Sequence, residues 1–154
     1  MIGMIFALLV IYQLKHFLAD YPLQGKYMLG KFQDGWAFLL PLLAHVGVHG
    51  VGTALIAVAF GRPSLAIPLA AFDMTIHFFM DRIKAGKKYL GRYKPVTAEE
   101  YVLAAAWARN APNAGIGKEA ARKLRGNTFF WWALGLDQMV HHLTHYVCIY
   151  FLIA

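Results

Sequence analysis

The chain has 154 residues, of which 59% are hydrophobic and 15% are charged, with a mean hydropathy of +0.47 and a formal net charge of +7. Soluble domains carry about 25% charged residues, so the composition excludes an ordinary soluble domain and indicates a membrane protein. The length allows one membrane domain over residues 1–154, and the single cysteine, Cys148, excludes an internal disulfide.

Four apolar segments follow one another in chain order, at about 2–19, 36–60, 65–83 and 129–153. Each is close to the length that an α-helix needs to cross a bilayer. No basic residue precedes Lys15, so the first segment lacks the positive region of a cleaved signal peptide, and we expect it to be retained. The sequence therefore predicts an all-α membrane protein in which four transmembrane helices form a bundle.

A basic, polar stretch at about 84–128 separates the third and fourth segments. The pattern Thr97-Ala-Glu-Glu100 is typical of a helix N-terminus and predicts a surface helix over about 98–109. Residues 118–125 predict a second, amphipathic helix that lies against anionic lipid. We therefore expect the lipid bilayer and its anionic headgroups to be the partners of this loop.

The basic residues are distributed unequally between the two sides of a four-span chain. Thirteen Lys and Arg residues lie in the connections 20–35 and 82–128, against one, Arg62, between the second and third segments. The positive-inside rule then predicts a multi-pass protein of the bacterial cytoplasmic (inner) membrane, with both connections in the cytoplasm and both termini outside. Because this topology accounts for the positive charge, no nucleic-acid partner is expected.

Histidine and aspartate residues recur four positions apart in every segment, so each set forms one polar stripe on a helix face. The stripes are His16/Asp20, His45/His49, Asp73/His77/Asp81 and Asp137/His141/His145. One Asp at the centre of a membrane helix costs about 2.5–3.5 kcal/mol, so we expect the stripes to face one another and not lipid. The rise of about 1.5 Å per residue puts most of them in the cytoplasmic half, with His145 deepest.

Three interpretations of this polar interior stay open, namely hydrogen bonding between helices, a proton or ion pathway, and metal binding. Two ligands one helical turn apart can hold one ion, and imidazole and carboxylate suit zinc, iron and manganese. The metal interpretation predicts one or two divalent ions, preferably zinc, with Asp20, Asp81 and Asp137 as catalytic carboxylates. Its predicted ligands are His16, Asp20, His45, His49, His77, Asp81, Asp137, His141 and His145, and Asp73 is expected to orient His77.

The polar positions resemble those of a family of small bacterial and bacteriophage membrane proteins, catalogued as a domain of unknown function. The resemblance covers all four segments, leaves out 88–127, and rests on His16-Phe-Leu-Ala-Asp20-Tyr-Pro-Leu-Gln24, Lys31, His45-x-x-x-His49, Asp81-x-x-Lys84 and Asp137-Gln138-x-x-His141. It implies that these residues are the family's signature and that a phage or prophage origin is to be considered. More distantly, the histidine pairs are similar to those of membrane di-iron desaturases, and the Asp-rich remainder to intramembrane metal hydrolases.

The working hypothesis is a metal-dependent hydrolase that acts from the cytoplasmic leaflet on a lipid-linked or other anionic substrate. Lys31, Arg82 and Lys84 are expected to meet a headgroup phosphate, and Gln24 and Gln138 to orient it. The alternatives are an ion, proton or metal transporter or channel, a di-iron membrane oxidoreductase, and a non-enzymatic phage membrane protein. A lipid-like substrate is expected for an enzyme, and a homo-oligomer is compatible with each of these functions.

Overall fold

The computed structural model describes residues 2–33, 35–85, 122, 126 and 128–154. Within these ranges all regular structure is helical. The elements are α1 (Ile2–Asp20), a short 3-10 helix η1 (Met28–Phe32), α2 (Leu39–Ala59), α3 (Pro63–Ala85) and α4 (Thr128–Ile153). The surface helices expected over 98–109 and 118–125 lie outside the described residues, apart from residue 122.

The helix ends follow from local chemistry. The first helix stops at Asp20, two residues before Pro22, whose ring and missing N–H oppose continuation. A tight turn then separates α2 from α3, where Gly61 adopts a φ of 75° that favours glycine. The third helix begins at Pro63, a residue preferred at the first helical position because its φ is already helical.

Among the described residues, three helices are long and apolar enough to cross a membrane, over Ile2–Asp20, Leu39–Ala59 and Pro63–Lys84. The fourth helix, α4, has 26 residues, which is ample length for a crossing, but it is not one of the three. Its hydropathy is lowered by Asp137, Gln138 and the histidines His141, His142 and His145. The helical prediction is thus confirmed, and three helices suggest a membrane protein, whereas the fourth crossing stays a prediction.

The structure consists of two units, residues 1–82 with 138–154, and residues 83–137. In the first unit, one cluster of buried apolar side chains joins the start of α1, the end of α2, the start of α3 and the end of α4. We call this cluster the apolar end, and its buried members are Leu8, Tyr12, Ile56, Ala57, Ala66, Leu69, Cys148, Ile149 and Leu152. Successive helices therefore run in opposite directions, as the short connections between α1 and α2 and between α2 and α3 favour.

Burial in the first unit is inverted relative to a soluble protein. Large apolar side chains on the helices face outwards, such as Ile2 at 85% and Ile67 at 78% exposed, whereas His49, Asp73 and His77 are fully buried. An outward apolar surface around a polar interior is what a lipid environment favours, because lipid does not solvate charge. The distribution supports the interpretation of these helices as membrane segments.

In the second unit, most of the described side chains lie at the end of α3 and in the first part of α4. The Lys84 ammonium donates to the Asp137 carboxylate at 2.7 Å, and the Asp137 side chain is only 1% exposed. Trp131 and Trp132 are exposed. This unit therefore carries a partly buried ion pair, and it also has exposed aromatic rings of the kind found at membrane interfaces.

Candidate metal centre

The centre lies where α1 ends against the first half of α2. Three imidazole Nε2 atoms surround the carboxylate of Asp20. Those of His49 and His45 lie 3.0 and 3.5 Å from Oδ1, and that of His16 lies 3.2 Å from Oδ2. The Asp20 side chain is 18% exposed, whereas the three histidines are buried, so the cluster opens at the carboxylate.

Helix geometry explains this arrangement. His16 and Asp20 are one turn apart on α1, and His45 and His49 are one turn apart on α2. Because the two helices contact each other and run in opposite directions, both pairs reach the same level. The common level predicted from the sequence is thus found for these four residues.

Histidines of α3 and α4 complete the cluster. The His77 ring stacks parallel on that of His141, with centroids 4.0 Å apart and an angle of 3°, and lies 3.9 Å from the ring of His49. The ring of His16 lies 5.1 Å from His141 and 5.3 Å from His145. Six of the seven histidines of the chain therefore meet in the first unit, and His142 lies at their edge, 6.1 Å from His16.

Three groups in the first unit have the spacing that one metal ion requires. Within each group, one ligand atom per residue lies within 4.8 Å of the others, and the groups are Asp20/His45/His49, His16/Asp20/His141 and His16/His77/His145. Imidazole with carboxylate suits zinc and non-haem iron. The structure thus brings together predicted ligands from all four helices.

Lysines accompany the other predicted carboxylates. Lys15 lies 2.6 Å from Asp73, Lys31 lies 2.9 Å from Asp81, and Lys84 lies 2.7 Å from Asp137. The Asp81 carboxylate also lies 3.0 Å from His45 Nε2. An ammonium at this distance neutralises a carboxylate and competes with a cation for its oxygens. Asp20 differs from these three carboxylates, because among the described residues it has imidazoles and no lysine within ion-pair distance.

Lys15 is the site residue that sequence reasoning missed. It is only 9% exposed, and its ammonium lies 3.5 Å from His145 Nε2 in addition to its bond with Asp73. Thr53 donates to the same Asp73 oxygen at 2.6 Å. The sequence did contain a signal for this role, because Lys15 is a cation inside an apolar segment. A charge in that position requires a partner in the interior of the protein.

Asp73 contacts His77, the histidine that it is expected to orient. The His77 Nδ1 atom lies 3.0 Å from the backbone oxygen of Asp73 and 3.1 Å from its carboxylate. Both neighbours are acceptors, so Nδ1 carries the hydrogen and Nε2 keeps its lone pair. That Nε2 atom is buried and has no hydrogen-bond partner in the described part of the chain.

The predicted substrate-contacting residues have different surroundings. The side-chain oxygen of Gln138 lies 3.3 Å from His16 Nε2, so Gln138 contacts a predicted metal ligand. Gln24 is partly exposed beyond the end of α1. Lys31 and Lys84 are ion-paired as described above. The guanidinium of Arg82 instead stacks on the Phe38 ring at 3.5 Å, and no carboxylate of the described residues lies within ion-pair distance of it.

Residues 5–154 match the model of a protein family of unknown function, DUF3307. The chain belongs to the DUF3307 family. The predicted membership of a family of unknown function is confirmed, and the match extends through the loop 88–127, which the resemblance left out. Comparisons with curated proteins and with solved structures found no significant match.

Proposed function

We propose that the protein is a membrane-embedded, metal-dependent hydrolase whose first divalent ion is held by Asp20, His45 and His49. The observation that carries this proposal is the surrounding of Asp20, a carboxylate with three imidazole Nε2 atoms within 3.5 Å. Two histidines and one carboxylate are a common ligand set of catalytic zinc and of non-haem iron, and both leave coordination positions for water and substrate.

Hydrogen bonding alone explains this cluster less well than a metal does. If each Nε2 donates to Asp20, then the Nδ1 atoms of His16, His45 and His49 are acceptors that remain buried without a hydrogen-bond partner in the described residues. An unsatisfied buried polar group costs about 1–3 kcal/mol. These three Nδ1 atoms stay unsatisfied whichever ring nitrogen carries the hydrogen, so the hydrogen bonds to Asp20 do not satisfy the cluster. A cation would use the three Nε2 lone pairs that converge on the carboxylate, which favours a loaded centre.

The metal supplies the chemistry by lowering the pKa of a bound water and polarising the scissile phosphoryl or acyl group. Asp20 would hold the ion through Oδ1, the oxygen that lies nearest to His49 and His45. Arg82 meets the anionic group of the substrate, because its guanidinium has a stacking partner and no carboxylate in the described residues. Zinc fits this role best, while iron or manganese would fit the same ligands.

The distribution of polarity supports an enzyme over a transporter. A continuous polar path would have to pass the apolar end, whose side chains Leu8, Ile56 and Leu152 are buried and carry no polar atom. The polar cluster is instead accessible at Asp20, near the short connection between α1 and η1. With α4 as a fourth crossing and the basic loops in the cytoplasm, this opening would face the cytoplasmic leaflet and an anionic, lipid-linked substrate.

The test is metal analysis of the detergent-purified protein combined with a hydrolysis assay. We expect about one or more zinc, iron or manganese ions per chain, and loss of an ion in both Asp20→Asn and His49→Ala. His142→Phe is the matched comparison, since His142 lies at the edge of the cluster and belongs to none of the ligand groups, and it should keep the metal content. An Asp20→Asn protein with the wild-type metal content would overturn the assignment.

The hydrolase part has its own readout. Metal-loaded protein is incubated with vesicles of anionic phospholipid, and released headgroup or fatty acid is measured against the Asp20→Asn variant. We expect release by the wild type only, because the variant lacks both the ion and the carboxylate. Full metal occupancy without release from these vesicles would contradict the proposed hydrolysis of such lipids and leave the metal site standing.

A further inference from the structure

We infer that Asp20 bridges two metal ions, and that the second ion binds between Asp20 Oδ2, His16 and His141. The inference rests on the metal-binding part of the proposed function and does not depend on its hydrolytic part. It assigns separate ligands to each ion, with His45 and His49 on one side of the carboxylate and His16 and His141 on the other.

The two oxygens of Asp20 face different histidines. Oδ1 lies 3.0 Å from His49 Nε2 and 3.5 Å from His45 Nε2, whereas Oδ2 lies 3.2 Å from His16 Nε2. The histidines thus divide between the two oxygens, two on Oδ1 and one on Oδ2. This division suits a carboxylate bridge between ions about 3.5–4 Å apart, which is typical of two-metal hydrolytic sites.

The ligand atoms of the second position are already close together. His16, Asp20 and His141 place one ligand atom each within 4.8 Å of one another, as do Asp20, His45 and His49. Both groups share Asp20 and no histidine, so two ions can bind without competing for an imidazole. The rings of the two groups are also near each other, since His16 and His49 have centroids 5.4 Å apart.

A buried chain of polar contacts holds the second position in place. His77 stacks parallel on His141, and Asp73 fixes the His77 ring through Nδ1. Asp73 in turn accepts hydrogen bonds from Lys15 and Thr53 at 2.6 Å each. The side-chain oxygen of Gln138 lies 3.3 Å from His16 Nε2, the atom that also faces Asp20, so Gln138 borders the second position itself. Such supporting contacts orient metal ligands and typically change metal affinity about 10–100-fold.

Charge gives the loaded centre a preference for anions. In the first unit, Lys15 neutralises Asp73 and Lys31 neutralises Asp81, so Asp20 is the remaining carboxylate for two divalent ions among the described residues. The excess positive charge would be balanced by hydroxide and by an anionic substrate group. A phosphate oxygen pair that spans both ions fits this requirement.

The experiment counts metal ions and detects their coupling. Purified protein is saturated with Mn²⁺, freed of excess metal, and examined by elemental analysis and electron paramagnetic resonance. We expect about two ions per chain and the spectrum of an exchange-coupled pair, because a carboxylate bridge holds the ions within about 4 Å. His141→Phe should retain about one ion and show the spectrum of isolated Mn²⁺.

Two further variants make the result specific. His142→Phe changes the adjacent histidine, which belongs to none of the three ligand groups described, and should keep the coupled pair. His145→Phe should also keep the coupled pair. If His145→Phe lost an ion and His141→Phe did not, the second ion would instead be assigned to His16, His77 and His145. One uncoupled ion in saturated wild-type protein would refute the bridge and leave the first site intact, and no ion would refute both.

Discussion

At the residue scale, Lys15 changes how the polar interior is understood. Its ammonium is buried and bonded to Asp73, which Thr53 and His77 also contact. The ion pair removes the cost of two isolated charges, and the bonds to Asp73 fix the direction of the His77 ring. Part of the polar interior is therefore neutralised by the chain itself, which leaves Asp20 as the carboxylate best suited to a cation.

Removing this lysine should destabilise the protein strongly. In Lys15→Met, the Asp73 carboxylate keeps Thr53 and His77 but loses its counter-ion in a fully buried position. Removing one partner of a buried ion pair costs about 3–5 kcal/mol of stability, because the other charge is left buried and uncompensated. We expect a loss of that size in the free energy of unfolding, measured by denaturant titration in detergent micelles.

The double variant Lys15→Met/Asp73→Asn separates charge from packing. It removes both charges and keeps similar side-chain volumes, so most of the lost stability should return. Lys26→Met is the surface control, because Lys26 is exposed and its replacement should change stability by about 0.5 kcal/mol or less. If the single and double variants were equally unstable, the ion pair would not be the cause.

These residues also show what the sequence could supply and what it could not. The four-residue spacing of His16/Asp20 and His45/His49 predicted a shared helix face, because that spacing is a property of every α-helix. The partners across helices were not predictable, since they depend on the rotation of each helix about its axis. The ion pairs of Asp81 with Lys31 and of Asp137 with Lys84 are such partners, and the sequence did not predict them.

At the element scale, the glycines of α2 allow close packing against neighbouring helices. A Cβ atom at Gly52 would lie 2.9 Å from Cγ of Lys15, and one at Gly50 would lie 2.5 Å from Sδ of Met74. Small residues at such contacts are typical of membrane helix interfaces. Gly52 thus provides the space through which the Lys15 stem reaches Asp73.

Gly52→Ala should therefore weaken the packing of α1 on α2. The new methyl group must displace the Lys15 stem, and overpacking of this kind costs about 1–3 kcal/mol. Gly47→Ala is the matched control on the same helix, because nothing lies within 4 Å of its Cβ position. Unfolding titrations of both variants give the comparison, and an effect of Gly52→Ala that persists in a Lys15→Ala background would contradict this explanation.

Helix bounds were predictable to within a few residues. The second apolar segment was expected at 36–60, and α2 extends over Leu39–Ala59. The difference at its start has a local reason, since Gly35 has a φ of 64° and turn residues follow it before the helix begins. Hydropathy marks where a segment is apolar, while backbone geometry decides where the helix starts.

At the scale of the whole molecule, composition predicted the helical class, and the family match confirms the predicted family. Three helices have the length and hydropathy of membrane spans. The fourth combines sufficient length with a polar stripe, so a hydropathy criterion does not select it. A helix whose polar face is covered by its neighbours can still cross a bilayer, and the number of crossings is therefore a question for experiment.

Single cysteines can determine that number and the orientation together. The native Cys148 is buried in the apolar end, so a membrane-impermeant maleimide should not reach it. Arg62→Cys, Ala154→Cys, Lys26→Cys and Arg122→Cys each add a thiol at an exposed position. With four crossings and the positive-inside orientation, the first two should react in intact spheroplasts and the last two only after permeabilisation.

Labelling of Arg62→Cys but not of Ala154→Cys would mean that α4 does not cross, because three crossings put the two ends of the chain on opposite sides. Labelling of Lys26→Cys and Arg122→Cys alone would reverse the orientation, and the opening at Asp20 would then face away from the cytoplasm.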